Sequence, residues 1–328
     1  MGGPIAAADT TICSSKLTRV LQYEPRDLTI SVEAGISYRE LSHVLAEHRQ
    51  MIALDPPFLE NATIGGIIAT NSSGPRRRLY GTARDMVIGM TFATLEGKLI
   101  KTGGMVVKNV AGLDMGKLMI GSFGTLAVIA VVNFRLHPMP AATRTFVQKF
   151  SDIAGAIAFR DVVLKSVLQP AAIDLLKVNN GYELVIQAGG SVAVLDRYSR
   201  ELPSARAVEG DEEQKLWERI RELTPRFLAE HEDAVVLRVS CALSEVGRVM
   251  ESLPTPAVAR AGSGVCYGYY RRFEDVHQEG LIEFAPQNVR ERAELWPQPG
   301  SDFAIMRKVK EMFDPRGLLN RGRLYGRI

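Results

Sequence analysis

Two glycine-punctuated stretches carry the residue types that could do chemistry in this chain. The first, Thr63-Ile64-Gly65-Gly66, leads into a short apolar segment, residues 67–70, and then a polar elbow, Asn71-Ser72-Ser73-Gly74-Pro75. A stiff Asp55-Pro56-Pro57 turn precedes it. A Gly-Gly pair at a helix start lets backbone N–H groups come close to a ligand, where the first-turn donors and the helix dipole favour an anion. The hydroxyls of Thr63 and Ser73 and the amide of Asn71 sit in the same compact loop–helix–loop, a set suited to a diphosphate and a polyol chain. The second stretch, Gly121-Ser122-Phe123-Gly124-Thr125-Leu126-Ala127-Val128-Ile129, places another glycine loop directly before a strand. Between them lie Arg76-Arg77-Arg78 and Tyr80-Gly81-Thr82. The arginine run reads as a solvated surface; its alternative role is to neutralise phosphate or a partner's carboxylates.

Other reactive side chains form no recognisable constellation. The five histidines, His43, His48, His137, His231 and His277, include no pair at zinc-ligand spacing. No Ser/His/Asp or Cys/His arrangement is suggested by local spacing. Catalytic residues are therefore unassigned and no metal is expected. Cys13, Cys241 and Cys266 are too few for an iron–sulfur cluster and too scattered for a disulfide framework. Asp85 reads as a partner for Arg84 or as a backbone cap. Tyr267, Tyr269 and Tyr270 read as packed strand residues, with the border of a substrate cavity as the alternative.

The elements that must position these residues follow from length and pattern. A chain of 328 residues accommodates two domains, and 46% hydrophobic with 23% charged residues is ordinary for a globular protein with a proper core. A net charge of +3 gives no case for nucleic acid. No apolar run is long enough to span a membrane, and the start lacks the pattern of a signal peptide, so the cytoplasm is the expected location. Residues 10–12 and 28–33 read as strands, and Ser37 caps a helix over 38–48 with Glu40 at the capping-box position. Strands 85–93 and 98–101 flank a hairpin at Leu95-Glu96-Gly97, and 127–136 is a long β-rich run. A linker, His137-Pro138-Met139-Pro140, marks a domain boundary. Beyond it, strands at 146–150, 172–178, 182–187, 234–240 and 257–270 alternate with helices at 153–168, 191–202, 213–230 and 243–253. That order predicts an antiparallel sheet with helices on one face. A last helix covers 303–313.

Together, the Thr63-Ile64-Gly65-Gly66 turn, Tyr80-Gly81-Thr82 with Arg84-Asp85, and the Gly121–Ile129 stretch resemble the FAD-binding domain of the vanillyl-alcohol-oxidase/PCMH flavoproteins. Lys108-Asn109-Val110-Ala111-Gly112-Leu113-Asp114 is similar to the small FAD-binding E subunits of bacterial glycolate oxidases. The closing Phe313-Asp314-Pro315-Arg316-Gly317-Leu318-Leu319-Asn320-Arg321-Gly322-Arg323 is again family wording. The resemblance implies an α+β architecture: a PCMH-type FAD-binding domain over 1–140, an α+β cap with an antiparallel sheet over 141–300, and a tail, 301–328, returning to the FAD domain. It implies FAD as cofactor, with Pro56, Thr63, Gly65, Gly66, Asn71, Ser73 and Gly74 along the pyrophosphate and flavin. Gly81, Gly121, Gly124 and Thr125 would shape the neighbouring loops, and the backbone of Val128 or Ile129 would meet the adenine. Lys108 and Asn109 would lie near the flavin or a subunit contact.

The implied partners are a larger FAD-binding subunit, which oxidises a small 2-hydroxy acid such as glycolate, and an iron–sulfur subunit that takes the electrons. Such a complex would bring the chain to the inner face of the membrane. The glycine-flanked histidine motif of catalytic family members is absent, so the isolated chain is expected to be inactive. The Pro- and Gly-rich loop of the family's opening lobe is also absent, so a first unit of roughly 30 residues or more, the size of a βαβ element, is expected to be missing. Two other functions compete: a scaffold that lost FAD with that lobe, and a stand-alone FAD-dependent oxidase of an alcohol or sugar.

Overall fold

The computed structural model describes residues 1–4, 8–105 and 114–328. Two compact units are present. The first comprises Met1–Ser73, Gly81–Met139 and Gln287–Ile328, and the second Gly74–Tyr80 and Pro140–Pro286.

The first unit is built on strands β1 (Val20–Glu24), β2 (Thr29–Glu33), β3 (Val87–Ala93), β4 (Leu99–Gly103) and β5 (Val128–Arg135). They form one sheet in the order β1-β2-β5-β3-β4, every pair antiparallel. Alternation in β2 and β5 sends Ile30, Val32, Val132 and Phe134 into the core, all essentially without solvent exposure. The helix Tyr38–Ala46 starts where its sequence says, since Ser37 Oγ accepts the Glu40 N–H at 3.0 Å. Residues 10–12, expected as a strand, are irregular and exposed; nothing pairs with so short a run among the described residues. The tail helix Phe303–Phe313 and the turns after it belong to this unit. Arg290 and Arg323 donate to the carbonyls of Gly2 and Gly3, joining the two ends of the chain.

The second unit carries eight antiparallel strands: β6 (Ala142–Phe150), β7 (Ala172–Val178), β8 (Gly181–Gly190), β9 (Arg206–Val208), β10 (Val235–Ser240), β11 (Ala257–Arg260), β12 (Val265–Tyr270) and β13 (Leu281–Phe284). Their order is β9-β6-β8-β7-β11-β12-β10-β13. Helices cover both faces, not one as expected. Helices Ile153–Lys165 and Val192–Glu201 cover one face, where Phe150 meets Phe159 and Phe146 stacks on Tyr198. On the other, Ile220 and Phe227 pack with Val147, Val185, Val236, Val258 and Tyr269. Those two residues come from separate helices, Gly210–Arg221 and Leu223–Glu230, where the sequence suggested one. Pro225 supplies no N–H and its ring disfavours helical continuation past the residue four before it, Arg221, so the helix restarts.

Candidate functional site

The two glycine stretches lie side by side in the first unit. The helix Ile64–Thr70 ends at Asn71, which adopts a left-handed conformation with φ 50°. The Gly121–Phe123 backbone then caps that helix, with Gly121 N–H donating to Ile68 O at 3.0 Å and Phe123 N–H to Ala69 O at 2.8 Å. These bonds satisfy carbonyls that a helix C-terminus otherwise leaves unpaired. Gly121 and Gly124 both have positive φ, 79° and 68°, and a side chain on Gly124 would lie 2.7 Å from Asn320 Nδ2. Thr125, almost fully buried, folds the loop on itself by donating its hydroxyl to Ser122 O at 2.7 Å. Val128 and Ile129 open β5 immediately after it.

The tail locks this loop from the other side. Lys310, 7% exposed, donates to Thr125 O at 2.8 Å and Leu319 O at 3.0 Å, and pairs with Asp314. Burial alone would raise the Asp314 carboxyl. The Lys310 ammonium and the N–H groups of Leu318 and Leu319 outweigh it and hold the group below its ordinary value. Asn320 donates to Phe123 O at 2.7 Å. An aromatic group comes with the tail: Trp296 meets Phe123 edge-on at 5.8 Å and Tyr325 at 4.9 Å.

The glycine pair at the helix start makes close contacts of its own. The first-turn N–H groups of the Ile64–Thr70 helix are already used: Ile64 donates to Ile36 O, Gly65 to Ala34 O, and Gly66 to Thr63 Oγ1 at 3.2 Å. Gly65 is small because a Cβ there would stand 3.0 Å from Ala34 Cβ and Ala34 O. The pair thus seats the helix against the end of β2, with those donors bonded to protein acceptors.

The other expected site residues are placed as follows. Pro56 is buried, next to Asp55 with φ 47°. Gly81, with φ 83°, makes room for Asp85, whose carboxylate accepts the Thr82 N–H at 2.8 Å and closes a capping box. Asp85 is therefore a cap. Ser73 is half-buried in the first unit, whereas Gly74 and the arginine run belong to the second. Arg78 is not a solvated surface residue: it donates to Pro170 O at 2.9 Å, and burial lowers its pKa. Lys108 and Asn109 lie outside the described residues. Among the described residues, no group of histidines, cysteines or carboxylates could hold a metal.

Sequence reasoning passed over Ser122. Its hydroxyl is buried between the two positive-φ glycines and has no hydrogen-bond partner among the described residues. A buried hydroxyl of that kind is open to a polar ligand or an ordered water. The loop therefore keeps a polar group for a hydroxyl- or phosphate-bearing ligand, whereas the first-turn donors of the helix have protein partners.

Comparison with known proteins agrees with that chemistry. Residues 2–103 match the FAD binding domain family, and residues 291–324 match the C-terminal domain of FAD linked oxidases. The chain is 28% identical to glycolate oxidase subunit GlcE of Escherichia coli over 94% of its own length and 85% of that protein. Glycolate oxidase subunit GlcD of Bacillus subtilis is 31% identical over 49% of this chain, and the match spans only 34% of that relative. The mitochondrial D-lactate dehydrogenase [cytochrome] 1 of Saccharomyces cerevisiae is 33% identical over 54% of this chain and 30% of its own. A solved structure of alkyldihydroxyacetonephosphate synthase aligns with a TM-score of 0.68 at 19% identity, covering 93% of this chain and 66% of the other, which shows the fold alone. No described helix is long and apolar enough to cross a membrane. The chain is an FAD-dependent oxidoreductase with a PCMH-type α+β fold, similar to FAD-linked oxidases and, over nearly its whole length, to a glycolate oxidase subunit.

Proposed function

We propose that this chain is the FAD-binding accessory subunit of a glycolate-oxidising complex. What carries the reading is the extent of similarity: the match to the E subunit runs nearly end to end, whereas the other relatives described above match about half of this chain. In such an assembly a larger flavin subunit takes glycolate to glyoxylate and an iron–sulfur subunit takes the electrons onward. FAD supplies a two-electron acceptor, and the protein's part is to hold and orient it.

In this chain the Gly121–Thr125 loop is assigned to the cofactor, with Ser122 Oγ as a side-chain contact and the backbone of Val128 and Ile129 toward the adenine. Asn71 and Ser73, at the end of the adjoining helix, are assigned to the same pocket, and Pro56, Gly74 and Gly81 to its outer turns. Thr63, Gly65 and Gly66 act by placing that helix. Residues 1–140 with 301–328 are assigned to the cofactor domain and 141–300 to the cap.

Co-expression tests this. The chain should co-purify with a larger flavin subunit and an iron–sulfur subunit, and glycolate oxidation with an artificial acceptor should need all three. If the chain purified alone oxidises glycolate at the rate of the assembly, a stand-alone oxidase takes its place.

A further inference from the structure

The helix Leu223–Glu230 and the end of strand β12 border a cavity of about 250 Å³ in the second unit. Leu223, Arg226, Phe227 and Glu230 line it from the helix, at the i, i+3, i+4 and i+7 spacing that puts them on one stripe. Pro256, just before β11, forms a second side. Tyr269 and Arg271, at and just beyond the end of β12, form a third. The cavity lies where β6 finishes. Register runs from Phe150 through Tyr182, Lys177 and Ala257 to Gly268, so Ala142, where β6 begins, is at the opposite end of the sheet.

The wall of the cavity is a set of rings. Buried Phe227 and Tyr269 meet edge-on at 5.4 Å, and the His231 ring meets Phe227 at 4.6 Å. The Tyr269 hydroxyl is hydrogen-bonded to Thr224 Oγ1 at 2.9 Å, so its polar end is held by the helix and its ring is left to the cavity. Half-buried Leu223 and Pro256 complete the apolar part. Rings set edge to face favour a further ring beside them.

The rim carries both signs of charge. Glu230 and Arg271 are exposed, and neither makes a side-chain hydrogen bond or ion pair with a described residue. Arg226 approaches Glu218 only to 3.7 Å. A carboxylate and a guanidinium thus border an apolar cavity without meeting each other. A simple anion would face Glu230, and a simple cation would face the arginines. A ligand carrying both charges satisfies both sides. Size limits the rest: 250 Å³ is below the range of about 300–1,000 Å³ typical of drug-sized ligands, so the cavity holds one ring.

We propose that this cavity binds a free aromatic α-amino acid, its ring against Phe227 and Tyr269, its carboxylate on Arg271 and its ammonium on Glu230. A peptide end offers only one of the two charges and fits half of the site. The site requires neither FAD nor a partner subunit.

Calorimetric titration of the full chain tests the site, with phenylalanine, phenylalaninamide and N-acetylphenylalanine as probes. Phenylalanine should bind about tenfold tighter than the amide, which lacks the carboxylate, and than the acetyl derivative, which lacks the ammonium. Arg271→Gln should weaken phenylalanine about tenfold and leave the amide unweakened. Glu230→Gln should weaken phenylalanine to a similar extent and leave the acetyl derivative unweakened. Both side chains are exposed and unbonded to described residues, so neither variant endangers folding. Absence of saturable phenylalanine binding at millimolar concentration, equal affinities for the three probes, or unaltered phenylalanine binding in the Arg271→Gln chain overturns the proposal. Tighter binding of either capped derivative than of phenylalanine overturns it as well, in favour of a peptide terminus.

Discussion

Replacing Lys310 by Met tests whether the tail holds the cofactor loop. Lys310 Nζ is buried against two carbonyls, Thr125 O and Leu319 O, and against the Asp314 carboxylate. Methionine keeps most of the packing volume and removes the charge and all three donor contacts. Breaking a buried ion pair by deleting one partner costs about 3–5 kcal/mol, because the remaining charge is left uncompensated. Here the N–H groups of Leu318 and Leu319, at 2.9 and 2.7 Å from the Asp314 oxygens, still hold the carboxylate and reduce that figure. The orphaned Thr125 carbonyl adds about 1–3 kcal/mol. A loss of about 3–5 kcal/mol follows, a large share of a domain stability of about 5–15 kcal/mol. Urea unfolding followed by flavin and tryptophan fluorescence measures it, and flavin should leave with the first transition. Adding Asp314→Leu should recover much of the loss, since an apolar pair of similar volume is often neutral in place of a buried ion pair. A Lys310→Met chain within about 1 kcal/mol of the original, or a double variant less stable than the single, would refute the clamp; about 1 kcal/mol is what an average point substitution costs.

The same pair sets an acid limit. The folded Asp314 carboxyl is held below its ordinary value, so its contribution is fully present above the unfolded value of about 3.9 and is lost as pH falls through the folded one; urea midpoints taken from pH 7 down to pH 3 should fall mainly at the acid end, and less so in the double variant. Ser122→Ala should leave urea stability unchanged, because the hydroxyl makes no bond to a described residue, and should weaken FAD binding about three- to tenfold by titration. Gly124→Ala should destabilise by about 1–2 kcal/mol from its positive φ alone, and more from the contact with Asn320, with loss of bound flavin on gel filtration.

Much of the scaffold was legible because it is written locally. The Ser37 cap, the hairpin at Gly97, the long β5 and the helix Phe303–Phe313 all rest on patterns within one or two turns of chain. The second unit's strands were equally visible, but the faces of the sheet were not. Which face a helix covers depends on partners far along the chain, and the helices of 210–230 bury Ile220 and Phe227 on the face opposite to Phe159 and Tyr198. Arg78 is the same kind of miss. A run of three arginines reads as solvated, yet one of them donates to Pro170, ninety-two positions away.

The glycine pair shows why a motif alone does not say which backbone groups are left for a ligand. Gly65-Gly66 at a helix start has two physical uses: approach of a ligand to free N–H groups, or approach of another backbone. The sequence is the same in both cases. Here the Ala34 carbonyl takes the Gly65 N–H, and a methyl on Gly65 would collide with Ala34. The helix dipole then has its positive end against protein, and its C-terminus at Asn71 faces the Gly121–Thr125 loop. On the proposed reading, donors for the cofactor come from that loop, where two positive-φ glycines and a left-handed Phe123 turn the backbone and the Ser122 hydroxyl has no partner among the described residues. Gly65→Ala should therefore destabilise the fold rather than weaken FAD selectively. Its FAD affinity, measured on the fraction still folded, should match the original, and a stable Gly65→Ala chain that has lost FAD would return the site to the helix start.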